Sequence, residues 1–204
     1  MSVERAMDWG ERAQPPEGLR VFDDPWEALD FIAAGRRASG DLPPIGLTRG
    51  DLVRTLGGPT SSDIRRASEA LHVRVDLGAV LADGALYWFL SHLVARRSWL
   101  RGRIVVVANA AFLGEWNVAP RAHPGDGRLD SVEVTNMTLT DRVKARQRLA
   151  SGTHVPHPGI TQRRPKAAKF EFERPTKVRL DGRLVGLFQR LSVRVEPDAV
   201  DLWI

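Results

Sequence analysis

Cysteine is absent from the 204 residues, and with it go disulfide frameworks, thiolate zinc sites and thiol nucleophiles. Tyrosine occurs once and methionine three times. No long apolar run is present either. The most hydrophobic stretch, Ala85 to Leu90 continuing to Val94, already contains Ser91 and His92, so no spanning helix is expected. The first residues carry Glu4, Arg5, Asp8, Glu11 and Arg12 with no apolar core, which argues against a signal peptide and for a cytoplasmic protein. Internal repeats and low-complexity tracts are lacking as well.

What is there suits a folded chain: 43% hydrophobic and 27% charged residues at a net charge of +5, enough for one sizeable core or two small ones. The charge is uneven. Asp141 to Arg183 holds twelve Lys or Arg against four Asp or Glu, a local +8, and the rest of the chain is −3. Such a surface either faces an anionic partner, phosphate, lipid head groups or nucleic acid, or is a solvated face of an Arg-rich protein.

Residues 1–18, with Pro15, Pro16 and Gly18, read as a flexible arm. Leu19 to Phe22 reads as a strand, Asp24 as a helix cap with Pro25 behind it, and Ala28, Leu29, Ile32 and Ala33 as an apolar helical stripe ending near Gly40. Pro43 to Leu47 is a second strand and Asp51 to Leu56 a short helix. From residue 72 the pattern becomes β: a hairpin about Asp83-Gly84, strands at Arg103 to Val107 and Leu129 to Val134, and a helix capped by Thr140 or Asp141. Strand-like segments follow at Ala167 to Glu173, Lys177 to Leu180, Leu184 to Phe188, Leu191 to Val195 and Val200 to Trp203. Many short strands about a single interior helix argue for a β-sandwich or barrel.

Four motifs then stand in order. Val107-Ala-Asn109-Ala-Ala-Phe-Leu-Gly114 leads to Ala119-Pro120; Asp126-Gly127-Arg128-Leu129-Asp130 follows; then Gly152-Thr153-His154 with His157-Pro158; then Leu180-Asp181-Gly182. Together they resemble the carboxy-terminal half of the bacterial YegS-like and DgkB-like diacylglycerol kinase family over residues 72–204. A fainter match, Gly46-Leu-Thr48-Arg-Gly50-Asp51, resembles the loop that in the family touches nucleotide. The resemblance implies an α+β chain: residues 61–204 as a lipid-kinase β-sandwich, and 19–60 as a strand-helix-strand-helix remnant of the family's α/β nucleotide domain.

The resemblance also implies ATP-dependent phosphorylation of a lipid, which requires a triphosphate cradle, a metal and a base acting together. Here the family's Gly-Gly-Asp-Gly loop is absent, and only 47 residues precede Thr48. Leu47 stands where the family has a glycine, and Gly50 where it has asparagine. The family's Asp-Gly-Glu supplies a Glu base, but this chain reads Asp181-Gly182-Arg183, and a guanidinium with a pKa above about 12 accepts no proton. The expectation is a lipid-kinase-like protein without catalytic residues and without ATP, leaving Thr48, Gly50 and Asp51 as a nucleotide-loop remnant.

Other sites are read as follows. Asp126 matches a position that in the family binds a structural magnesium with backbone carbonyls, here those of His123 and Arg128; the same residues also make an ordinary Asp-Gly turn. His154 and His157 read as loop-packing residues, and Trp88, Trp99, Trp116 and Trp203 as core or sheet-face residues. Arg142, Arg146, Arg163, Arg164, Lys166 and Arg183 form the candidate anion or lipid surface, which implies an anionic lipid, a membrane surface met peripherally, or another protein as partner. Two alternatives stay open: a kinase half completed by a separate nucleotide-binding chain, and a nucleic-acid-binding basic module, the latter without any recognition-helix or aromatic-basic signature.

Overall fold

The computed structural model describes residues 10–38, 42–59, 63–153 and 157–204. Its centre is a pair of long antiparallel strands, β4 (Ala70–Ala82) and β13 (Arg183–Trp203), which pair from Leu191 with Ala82 to Trp203 with His72. β12 (Ala167–Leu180) flanks β13 on its other side. From β12 the sheet continues through β6 (His92–Arg96), β7 (Ile104–Ala108) and β10 (Asp130–Val134) to β11 (Ile160–Arg163), while β5 (Ala85–Phe89) folds back on β4 about Asp83-Gly84. Val80, Phe89, Leu93, Val105, Val107, Phe172, Val178 and Val193 fill the space between the layers. The β-sandwich expected from the strand spacing is the fold.

The sequence reading separated segments that the fold joins. Ala167 to Glu173 and Lys177 to Leu180 are one strand, and the last three segments are one 21-residue strand, each interrupted by register shifts. Pro175 and Pro197 mark two of the three, the third lying between Val178 and Arg179: a proline withdraws one ladder donor and favours a bulge without ending the strand. β13 crosses its irregularity between Glu196 and Val200, where Asp198 takes φ +49°. Asp76, buried on β4, holds that point by accepting from Asp198 N at 3.0 Å, and it also accepts from Gly127 N at 2.7 Å. Gly78 is required by its neighbour, since a Cβ there would lie 2.2 Å from the Phe89 ring that crosses it.

The amino-terminal unit is attached to this sheet. β2 (Arg20–Phe22) and β3 (Ile45–Leu47) are parallel, and β3 runs parallel to Leu202 and Trp203 of β13. α1 (Pro25–Arg37) starts as expected, with Asp24 Oδ1 accepting from Trp26 N at 2.9 Å; its expected stop at Gly40 lies outside the described residues. α1 and α2 (Asp51–Thr55) bury Ile32, Leu52 and Leu56 in one core with Val73, Leu77 and Leu202. The boundary expected between 60 and 61 also falls outside the described residues, and that shared core runs across it. One expectation is corrected: within the arm, Glu11–Ala13 form β1 and pair with the edge of β4, a contact made by backbone groups that an apolar pattern does not announce.

α3 (Leu139–Arg148) crosses the outer face of β7 and β10. Its cap is Thr138, whose hydroxyl accepts from Asp141 N at 3.2 Å and donates to Asp141 Oδ2 at 2.7 Å. The cap therefore lies two residues before the earlier of the two expected positions. No described helix is long and apolar enough to cross a membrane.

Candidate functional site

The loop from β3 into α2 is closed by its own neighbours. Thr48 Oγ1 donates to Asp23 Oδ1 at 2.5 Å, and Gly50, at φ +111°, lies where a Cβ would come within 2.6 Å of Pro25. The first turn of α1 thus packs over this loop. α2 is fixed to the segment after β7, where β8 (Phe112–Leu113) and β9 (Trp116–Asn117) make a small hairpin: Asp51 accepts from Gly114 N at 2.9 Å, Arg54 donates to Gly114 O at 2.5 Å, and Thr55 Oγ1 accepts from Ala111 N at 3.0 Å.

Behind α2 lies a buried polar cluster that sequence reasoning missed. Asp181, at the β12–β13 turn, receives the N–H groups of Leu90, Ser91 and His92 at 2.7–2.8 Å. Burial raises its carboxyl to about 6; the three N–H donors oppose that rise and nearby Asp51 adds to it. His92 is fully buried, with Nε2 at 2.9 Å from Ala110 O, so this nitrogen carries the proton and Nδ1 is bare. That Nδ1 has no hydrogen-bond partner and faces Asp51 Oδ2 at 3.7 Å. Burial lowers the imidazole to about 4, and burial raises Asp51, against the pull of Gly114 N–H and Arg54. The sequence signals for the cluster are the Asp181-Gly182 motif, whose resemblance draws attention to position 183, and Asp51 of the loop remnant.

Arg183 points away from this cluster. Its guanidinium lies 3.3 Å from Asp30 and 5.6 Å from the Trp26 ring centroid, both on α1. Of the other expected anion-binding residues, Arg142 and Arg146 lie on α3, and Arg163, Arg164 and Lys166 at the end of β11 and just after it. Arg142 is corrected: it is buried, and its guanidinium donates to Met137 O at 3.3 Å, Trp99 O at 3.4 Å and Gly102 O at 2.5 Å, tying α3 to the β6–β7 loop. It is therefore a tether and presents no charge to a partner. Arg146, Arg163 and Lys166 are exposed, with Arg146 lying 5.2 Å over the Trp116 ring.

Arg164 is engaged by the Asp126 turn. It pairs with Asp126 Oδ2 and, through Nε at 3.2 Å, with Asp130, while Asp126 Oδ1 accepts from Arg128 N at 3.0 Å. A magnesium ion takes about six oxygens at roughly 2.0–2.1 Å. Among the described residues no group of three or more His, Asp or Glu could hold a metal, and both Asp126 oxygens already have donors. The residues present do not fit a divalent cation at this turn. His157 accepts from Gly159 N at 3.0 Å, consistent with loop packing, and His154 lies outside the described residues.

Beneath α3 is an apolar cavity of about 80 Å³, lined by Trp99, Ile104, Trp116, Val132 and Ala145 among others. Trp99 and Trp116 meet edge to face at 5.4 Å. Leu100, which also lines the cavity, is exposed at 45%. Arg146 lines it too, and is exposed.

Comparison with known proteins agrees with this architecture. Three solved structures from Bacillus anthracis str. Sterne are similar, two described as candidate diacylglycerol kinases and one as a diacylglycerol kinase. Identities are 16%, 16% and 17%, and TM-scores 0.60, 0.58 and 0.55. Each match covers 78% of this chain and, in the same order, 69%, 69% and 66% of the other. At that identity the likeness concerns the fold. No curated protein matches the chain. Residues 79–204 match the model of the YegS C-terminal NAD kinase beta sandwich-like domain, so the chain belongs to that family, the carboxy-terminal type of YegS-like lipid kinases.

Proposed function

We propose that this member of the diacylglycerol-kinase-like family is non-catalytic and binds anionic lipid, with an acyl segment in the cavity under α3 and the head group among the surrounding basic residues. The observation that carries the reading is the coincidence, in one lining, of an apolar cavity with exposed Leu100 and the exposed cation Arg146. Each buried methylene contributes about 0.8 kcal/mol, and each Lys or Arg near an anionic surface about 1 kcal/mol, weakened by salt. Arg183, paired with Asp30, supplies no proton acceptor, and the Thr48 loop, bonded to Asp23 and covered by Pro25, offers little backbone to a triphosphate.

The test is sedimentation with vesicles. Binding to phosphatidylglycerol that weakens with salt, little binding to phosphatidylcholine, and loss of binding in Ala145→Trp, which fills the cavity, are the expected results. Equal binding to both lipids would overturn the reading. So would phosphatidate formation when the purified chain meets magnesium, labelled ATP and diacylglycerol.

A second reading has its own support. Asp51 and Asp181 are neighbouring carboxyl groups raised by burial, a pairing that suits acid–base chemistry. The chain would then be one half of a lipid kinase, completed by a separate chain with the nucleotide loop. Co-purification with a Gly-Gly-Asp-Gly protein, and lipid phosphorylation by the pair alone, would favour it.

A further inference from the structure

We infer that Arg164 is the built-in cation of the Asp126 turn, doing with a guanidinium what the family resemblance assigns to a bound metal. Three carboxylates surround the turn. Asp76 reaches it from β4 through Gly127 N, Asp126 lies on it, and Asp130 follows at the start of β10. Asp76 and Asp126 repel each other, as do Asp130 and Asp126, and burial raises both Asp76 and Asp130. One positive charge answers that repulsion from within. Arg164 bonds Asp126 through one nitrogen and Asp130 through another, the forked geometry for which a guanidinium is suited and an ammonium is not.

The backbone holds the arginine in place. Arg164 O accepts from Arg128 Nη1 at 3.2 Å, and Leu129 N donates to Pro165 O at 3.1 Å. The end of β11 and the turn are thus crosslinked from both sides. Arg121 is the other cation near Asp130, acting through space without a hydrogen bond. A divalent ion entering here would meet the Arg164 charge, and it would have to displace the guanidinium to reach Asp126. The inference does not depend on what the cavity under α3 binds.

Thermal melting of the full chain tests it. The native protein is expected to melt at the same temperature in magnesium and in EDTA. Arg164→Met should lower the midpoint by several degrees, and magnesium should restore part of the loss by answering the bared carboxylates. Arg164→Lys, which keeps the charge without the fork, should melt between the two and guards against a Met variant that does not fold. A native midpoint that drops in EDTA would overturn the inference, as would a Met variant that melts like the native protein or gains nothing from magnesium. A Lys variant no more stable than the Met variant would overturn it too.

Discussion

His92 and Asp181 titrate in opposite senses within one buried cluster, and this fixes a testable pH signature. Asp181 rises from 3.8 to about 6. Between those values the native state holds a proton that the unfolded chain has released, so this carboxyl stabilises at low pH and its contribution is lost as pH rises through the window. Asp51 shifts in the same direction. His92 falls from 6.5 to about 4, so the unfolded chain holds the extra proton, and the His92 contribution is lost as pH falls through its window. In the native protein the two slopes oppose each other. His92→Gln should unmask the carboxyls, with urea stability falling as pH rises from about 4 to 6, and Asp181→Asn should unmask the opposite slope. Each titrating group adds at most about 1.4 kcal/mol per pH unit. A variant whose stability is flat across that range would show that these groups do not carry the shifts.

Gly78 offers a second residue-scale prediction. Its lack of a side chain lets Phe89 lie across the strand, so Gly78→Val should cost roughly 2–4 kcal/mol by forcing the ring out of the core, read as a lowered urea midpoint. Neither residue was legible beforehand. A glycine in a strand and an Asp-Gly pair each have several uses, and the choice among them is made by groups far away in sequence: Phe89 on the neighbouring strand, and the Leu90 to His92 amides ninety residues before Asp181.

At the scale of elements, α3 is held less by its apolar face than by one arginine. Its only buried residue is Arg142, with three backbone acceptors. A hydrogen bond from a charged group is worth about 1.5–3 kcal/mol. The bond to Gly102 O is short, while those to Met137 O and Trp99 O, at 3.3 and 3.4 Å, are long and weaker, and truncation would leave the Gly102 carbonyl without its donor. Arg142→Ala should therefore lower stability by about 2–3 kcal/mol and release α3, seen as faster amide exchange over 139–148. Unchanged exchange there would rule the tether out. A capping residue at Thr140 or Asp141 announced the helix, and Arg142, Lys144, Arg146 and Arg148 its charge. Which of the four turned inward depended on the carbonyls of the β6–β7 loop, and those are invisible in side-chain patterns. The strands show the same division. Their apolar alternation and the Asp83-Gly84 turn announced the sandwich, while the continuity of β12 and β13 through proline bulges did not show, because a proline reads locally as a stop.

At the scale of the whole molecule, β13 joins the parts. It lies between β4 and β12 and also carries β3 at Leu202 and Trp203, so the strand-helix-strand unit and the sandwich share hydrogen bonds and a core. Heating should accordingly give one cooperative transition by far-ultraviolet circular dichroism and by tryptophan fluorescence, Trp88 and Trp203 reporting the shared region. Two separated midpoints would mean that the units melt independently.

The placement of β13 also has a kinetic side. Its partners on β4 lie roughly a hundred residues earlier in the chain, so a large loop must close before the central ladder rewards the search, and such topologies fold slowly. Until then β4 offers a bare apolar edge to other copies. Refolding from urea should thus be slow and should yield more monomer at higher dilution, since intermolecular capture of that edge competes with the arrival of its own distant partner.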